Sequence, residues 1–420
     1  MVSLPSDLLL IIFEELTYEP TRTLKIGYEP FTEDEHISPI SAQAAERMQS
    51  KCNIVLVCKA WRRAALHVLY EILFIDSGAR AQRIYDALEL TAEPSAHGDG
   101  VVNRGAFVRQ IYICAQWEDW RFVDQGMSVY HVPRIIQHCP NLIIFSYRIR
   151  SSDAVLYPAF RSIVESDAAQ SLLRLDLGDH LNGSHLKSGE RGTGSLPNLE
   201  TLVLPPEVDG PLKLRTRKQI YAPNLRTLVL SWEMYTLLIS DASRFDFPKL
   251  RWIHILPIRA MPPTNFFAVG TPANFRTMND KVVSIGFHQP SSWTSSALCA
   301  SFDLLTHFPN VKHVMLRVLS IETPERCLQH PSITCIALRP AYYSARVSTP
   351  RQTQRAIRST LAKIDGIIEV LLVGHFPQLR RIEIVGPYRG TCANSQEWKN
   401  GWVKRLGERR IDFEIRRLPE

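Results

Sequence analysis

No two of the eight cysteines form a CxxC pair, and no Cys/His set has zinc spacing. That excludes the common structural zinc folds and thioredoxin-type exchange. The cysteines are scattered, many inside apolar runs where a thiol behaves as a small hydrophobe, so a reducing compartment is expected. No apolar run reaches the ~18 residues a membrane helix needs. Met1 leads into an apolar helix with no basic start and no cleavage site. No membrane partner is expected, and the location is expected to be cytoplasmic, nuclear or both. The sequon at Asn182 is then an ordinary turn, and the end RRLPE carries no lipidation signal. The one glycine-rich loop of interest, GERGTGS, has no GKS or GKT ending. GxSxG, HExxH and framed catalytic carboxylates are absent. His254, His288 and His313 fall on successive strand-like phrases, yet no carboxylate or cysteine joins them at matching positions. No metal, no cofactor and no catalytic residue is expected; the chain reads as non-enzymatic.

Net charge is +7 over 420 residues, with 45% apolar and 22% charged side chains. This composition suits a folded protein with two or three domains, or one small domain and a repeat array. The basic excess is mild. It permits acidic partners and does not demand nucleic acid.

A phrase of the form PxLxxLxL recurs through the chain. It is clearest at Pro197 (PNLETLVL) and Pro223 (PNLRTLVL). Relatives begin at Pro140, Gln170, Pro248, Pro309, Pro331 and Pro377, with weaker copies at Ala106 and Asp280. Its second half alternates, so each copy predicts a short strand, and the proline ends what precedes it. The copies start 22 to 46 residues apart. Units of that size cannot bury their own leucines, so neighbours must stack and share one core. Helices are expected between phrases at 79–93, 153–169, 296–307 and 351–373, the last filling the longest interval. Residues 178–194 are a flexible loop by composition, 257–279 an irregular insertion, and IDFEIRRL at the end a final strand.

The N-terminal 78 residues are different. Leu4–Leu16 (LPSDLLLIIFEEL) opens with a leucine–proline pair and puts Asp7 in a first helical turn. Leu8, Leu9, Ile11, Ile12, Phe13 and Leu16 make a helix too apolar to bury against one surface. Asn53–Ile75 (NIVLVCKAWRRAALHVLYEILFI) carries a second stripe through Ile54, Leu56, Val57, Trp61, Ala65, Leu66, Leu69 and Tyr70.

The wording LPxDLLLxIFEEL followed by LVCKxWRxxALxxLYExLxI resembles the F-box, most closely the form common in fungal proteins. The repeat region resembles the irregular leucine-rich repeats that follow F-boxes in many receptors. The asparagine that usually follows LxxLxL is missing from nearly every copy, so repeats of unequal length are expected. The resemblance implies an α/β chain: an F-box-like helical domain at 1–78 with an insert at 17–50, a linker helix and loop at 79–103, and a leucine-rich-repeat solenoid at 104–420. That solenoid would be a horseshoe with parallel strands on one face and helices or loops on the other. It implies a substrate-recognition subunit of an SCF-type ubiquitin ligase, docking the adaptor, and through it a cullin, by Leu4, Pro5, Leu8, Ile12, Val57 and Trp61. The protein target would meet the concave face, where alternation places Arg174, Asp176, Trp252, His254, His313, Met315, Arg317, Arg339, Arg381 and Glu383. Two alternatives are a repeat scaffold outside ubiquitin ligation and a polyanion binder using the basic stretch at 402–417.

Overall fold

A computed structural model of the chain describes residues 5, 8, 9, 11–13, 51–90, 103–114, 125–148, 156–177, 180–182, 195–204, 207–209, 220–231, 235, 245–256, 280–287, 304–318, 328–340, 350–386 and 393–417. The protein is mixed α/β. Twelve strands form one parallel sheet that is not closed into a barrel, and their order in the sheet is their order in the chain.

The first compact unit contributes β1 (Ile72–Ile75), β2 (Gln110–Cys114), β3 (Ile144–Arg148), β4 (Arg174–Asp176) and β5 (Thr201–Val203). The second contributes β6 (Thr227–Ser231), β7 (Trp252–Leu256), β8 (Ser284–Phe287), β9 (His313–Val318), β10 (Cys335–Pro340), β11 (Arg381–Gly386) and β12 (Asp412–Arg417). All ten phrase copies enter strands, and IDFEIRRL supplies the last. Strand β1 comes from the stretch whose leading residues read as helix: ILFI alternates tightly enough to pair with β2 from Ile72↔Gln110 to Ile75↔Ile113.

Register explains the phrase. Its first leucine, just before the strand, is fully buried in Leu142, Leu172, Leu199, Leu225 and Leu250. Its second lies in a row that reads Leu228, Ile253, Ile285, Val314, Ile336, Ile382 and Phe413 across the second unit. Every member of that row is buried. Each such side chain contributes roughly 1.5–3 kcal/mol relative to exposure. Parallel pairing keeps like positions abreast, so one leucine pattern makes one continuous core.

The turns before the strands need their own partners, and six of the ten phrase copies supply one at the second position. Asn141 Nδ2 donates to the Ala106 carbonyl (2.8 Å), Asn198 to Gln170 (2.6 Å), and Asn224 to Pro197 (2.7 Å). Ser171 Oγ does the same to Pro140 (2.9 Å). In the second unit Asn310 reaches Asp280 (2.8 Å) and Ser332 Oγ bonds Pro309 and, at 3.1 Å, Val311. Each unit thus carries a polar ladder along its core rows. The asparagine absent after LxxLxL stands ahead of it instead.

Helices fill the intervals. In the first unit α1 (Lys59–Tyr70), α2 (Gly78–Glu89), α3 (Gln125–Gln137) and α4 (Leu156–Glu165) precede successive strands. Ser77 caps α2, accepting from Arg80 N at 3.4 Å. Helix α2 packs on α3, and α3 on α4. Tyr85 of α2 contacts the rings of His131 in α3 and of His138 just past its end, with Arg134 over its ring. In the second unit α5 (Pro350–Val373) occupies the longest interval, burying Leu361, Ile364, Ile368 and Leu371 on one face. Helix α6 (Ala393–Gly407) is clamped to it. The indoles of Trp398 and Trp402 both donate to Asp365 Oδ1 (2.6 and 2.7 Å), Arg405 pairs with Glu369, and Arg409 donates to the Leu372 carbonyl. Two cations of the basic stretch are therefore spent inside the fold.

Part of the loop at 178–194 differs from its composition: His180–Asn182 pair in parallel with Glu207–Asp209. The expected helix at 296–307 and the insertion at 257–279 lie largely or wholly outside the described residues, as does the insert at 17–50. Among the described residues no helix is long and apolar enough to cross a membrane.

The ladder predicts a measurable loss. Asn224→Ala should lower stability by about 1–2 kcal/mol and the more exposed Asn198→Ala by about 0.5–1 kcal/mol in urea unfolding; changes within error of zero would remove the ladder from this account. A second expectation comes from His330, buried beside Ser332, with a ring nitrogen 3.1 Å from the Leu305 carbonyl and the other facing Ser332 N. Burial holds its pKa below the ordinary imidazole value. The folded state then binds fewer protons than the unfolded chain. Stability should be whole above about pH 6.5 and decline as pH falls below it, and His330→Gln should flatten that slope in pH-dependent denaturation.

Candidate functional site

Two surfaces were singled out by sequence, one on the N-terminal helices and one on the sheet.

Residues 8–9, 11–13 and 51–57 are helical, and the Pro5 carbonyl accepts from Leu8 N and Leu9 N, both at 3.1 Å. The second helical run breaks at Cys58, whose extended backbone and sulfur, accepting from Trp61 N at 3.4 Å, start α1. Leu9, Phe13, Ile54, Ala65 and Val68 close a small core, with Val55 and Trp61 packed against it. Trp61 meets Phe13 with ring centroids 5.1 Å apart. Lys51 Nζ donates to the Val68 carbonyl, tying the run at 51–57 to α1.

With that core closed, apolar side chains remain outside. Leu8 is 47% exposed, Ile11 55%, Ile12 40%, Leu56 79% and Val57 59%. At 100° per residue Leu8, Ile11 and Ile12 share one stripe, turned from Leu9 and Phe13. Of the residues expected to meet an adaptor, Pro5, Leu8, Ile12 and Val57 are exposed and Trp61 is half-buried as support; Leu4 lies outside the described residues. Ile11 and Leu56 were legible only as members of an over-apolar stripe. Their exposure is the feature periodicity cannot assign.

The sheet face opposite the core rows holds the other expected set. In the first unit it is closed. Arg174 and Asp176 are buried, 3.6 Å apart at neighbouring positions on the same side of β4. On the strands before them Phe74 and Tyr112 stack at 5.2 Å, and Tyr112 packs with Ile72, Ile143 and Ile144. A buried ion pair of this kind maintains a fold more than it offers a contact.

In the second unit the face is mixed. His254 is buried, its imidazole lying over Gly286, where a Cβ would come within 2.3 Å of Nδ1. Arg339 is buried as well. Thus Arg174, Asp176, His254 and Arg339, expected to face a partner, are out of its reach. Trp252, His313, Met315, Arg381 and Glu383 are accessible or partly so. Trp252 is 40% exposed, His313 is exposed, and Met315 is half-buried against Ala337 and Val385. Arg381 pairs with Glu383 at 3.0 Å and with Glu414 at 4.0 Å. The side chains of Arg148 and Arg317, and His288, lie outside the described residues.

Partial burial of the ring, then the Arg381 guanidinium, hold His313 below the usual imidazole value, against the pull of Glu383. Burial first, then the Glu383 charge, push the Cys335 thiol up, so it stays protonated and a poor nucleophile. Among the described residues no three His, Cys, Asp or Glu side chains are placed to hold a metal ion.

Gly286→Ala should cost about 1–3 kcal/mol, because the buried His254 ring has no room to swing away. In a double-mutant cycle with His254→Ala, the pair should be less destabilised than the sum of the singles by about 1 kcal/mol or more; strict additivity would mean the two do not share this space.

No protein-family model matches the chain, and no curated protein is significantly similar to it.

Proposed function

We propose that the protein is the substrate-recognition subunit of an SCF-type, cullin-based ubiquitin ligase. Its N-terminal helices dock the adaptor, and its strand repeats hold a protein target. The observation that carries this reading is the exposed apolar stripe of Leu8, Ile11 and Ile12, with Leu56 and Val57, over an already closed core. Burying such side chains is worth roughly 25 cal/mol per Å² of apolar area, and large exposed apolar patches mark interaction sites. These residues also fall within the two stretches that resemble an F-box. The twelve-stranded parallel sheet, with one phrase per strand from β2 to β11, is compatible with a leucine-rich-repeat solenoid as the target-binding half.

In this role Leu8, Ile12 and Val57 contact the adaptor, Pro5 sets the start of the first helix, and Trp61 with Phe13 braces the surface from beneath. The mechanism is proximity: the receptor raises the target's effective concentration at the transfer site, and ubiquitin transfer belongs to other subunits.

The test is capture of the full chain by purified adaptor, beside Leu8→Glu/Val57→Glu. Both positions are exposed, so the variant should melt like the wild type. Capture should be stoichiometric for the wild type and about a hundredfold weaker for the variant. A well-folded wild-type chain that the adaptor does not retain would sink the reading and leave a repeat scaffold.

A further inference from the structure

The residue just before each strand forms a row of its own. In the second unit Arg251 N and Trp252 N both donate to the Arg226 carbonyl, and Val283 N and Ser284 N to that of Arg251. Lys312 N and His313 N donate to Val283, Thr334 N and Cys335 N to Lys312, and Arg380 N and Arg381 N to Thr334. The row reads Arg226, Arg251, Val283, Lys312, Thr334, Arg380. Its four cations are exposed, and it contains no anion. The ion pairs described in this unit use Arg381 and Arg405 instead. Arg251 donates to the Lys281 carbonyl, which orients its guanidinium without neutralising it.

The repeat does not require this charge. The same hydrogen-bonded row in the first unit reads Glu71, Arg109, Ile143, Leu173, Glu200, with one cation and two anions. Neighbouring strands lie about 4.8 Å apart, so Arg226 and Arg251 repel at close range. A row of like charges that the fold does not need, and that costs it stability, points to an opposite charge outside.

We propose that this row is a docking surface for an extended acidic polypeptide segment. From Arg226 to Arg380 it spans five strand steps, about 24 Å, the length of about seven extended residues. Alternate residues of such a segment put carboxylates about 7 Å apart, a spacing that flexible Arg and Lys side chains can follow. A single-stranded nucleic acid is the weaker fit. It needs an aromatic platform for successive bases, whereas the positions between the cations are Val283 and Thr334. Among the described residues the one exposed large aromatic beside the row, Trp252, suits one anchoring side chain of a peptide. The inference stands whether or not the N-terminal helices dock an adaptor.

The experiment is fluorescence anisotropy of the full chain with a labelled twelve-residue Glu-Ser repeat peptide, against Arg226→Glu/Lys312→Glu/Arg380→Glu. A charge-matched control, Arg83→Glu/Arg161→Glu/Arg358→Glu, changes exposed cations on helices α2, α4 and α5. Wild type and control should bind alike, the row variant about tenfold or more weaker, and wild-type binding should weaken about tenfold when salt rises from about 50 to 300 mM. Thermal melts of all three proteins check folding, and the salt response of the wild type stands without any variant. Absence of peptide binding by the wild type, equal loss in both variants, or tighter binding of a twelve-residue oligothymidylate than of the peptide would each overturn the proposal.

Discussion

Everything in this protein depends on parallel strands held in strict register. For nine of the strands one carbonyl just before the start accepts two backbone donors from the next strand, as Arg226 does from Arg251 and Trp252. That repeated clasp keeps position beside position, so a leucine at one place in the phrase meets another large apolar side chain. A slip of one residue would turn every core side chain to the other face. The side chains of Asn141, Ser171, Asn198 and Asn224 in the first unit, and of Asn310 and Ser332 in the second, guard against it by bonding the preceding turn. They satisfy carbonyls that the turns would otherwise leave without partners.

Because register places like positions abreast, the second face of the sheet is a set of rows whose composition is free to change. In the first unit those rows hold Phe74, Tyr112 and a buried Arg174–Asp176 pair. In the second they hold exposed Trp252 and His313 and the Arg381–Glu383–Glu414 group. The same backbone therefore serves as closed core in one unit and as accessible surface in part of the other. The row before the strands changes in the same way, from charges of both signs to charges that are all positive.

The N-terminal helices follow another logic. The described part of the first helix carries five apolar side chains, more than one face can turn inward. Leu9 and Phe13 take the inner positions with Ile54, Ala65 and Val68, and Trp61 seals the edge. Leu8, Ile11 and Ile12 are left in water by geometry, and Leu56 and Val57 by the break at Cys58. A protein carries that unfavourable exposure where a partner removes it, which is why the proposed adaptor surface is drawn there.

The sequence by itself determined the strands, because PxLxxLxL records a local requirement: a break, an alternation and a buried leucine at fixed offsets. It determined the long helix at 350–373 for the same reason, through the spacing of Leu361, Ile364, Ile368 and Leu371. It also held the ladder in plain view as PNL, but an asparagine's hydrogen-bond partner some 30 residues away has no local signature. What only the tertiary structure decided is accessibility. Alternation put Arg174, Asp176, His254, Trp252 and His313 on one side of their strands, and it could not say which would be covered. That depends on what packs over each strand and on neighbours such as Gly286, which opens the space His254 fills. Strand β1 shows the same limit: ILFI suits a helix or a strand equally, and pairing with β2 chose between them.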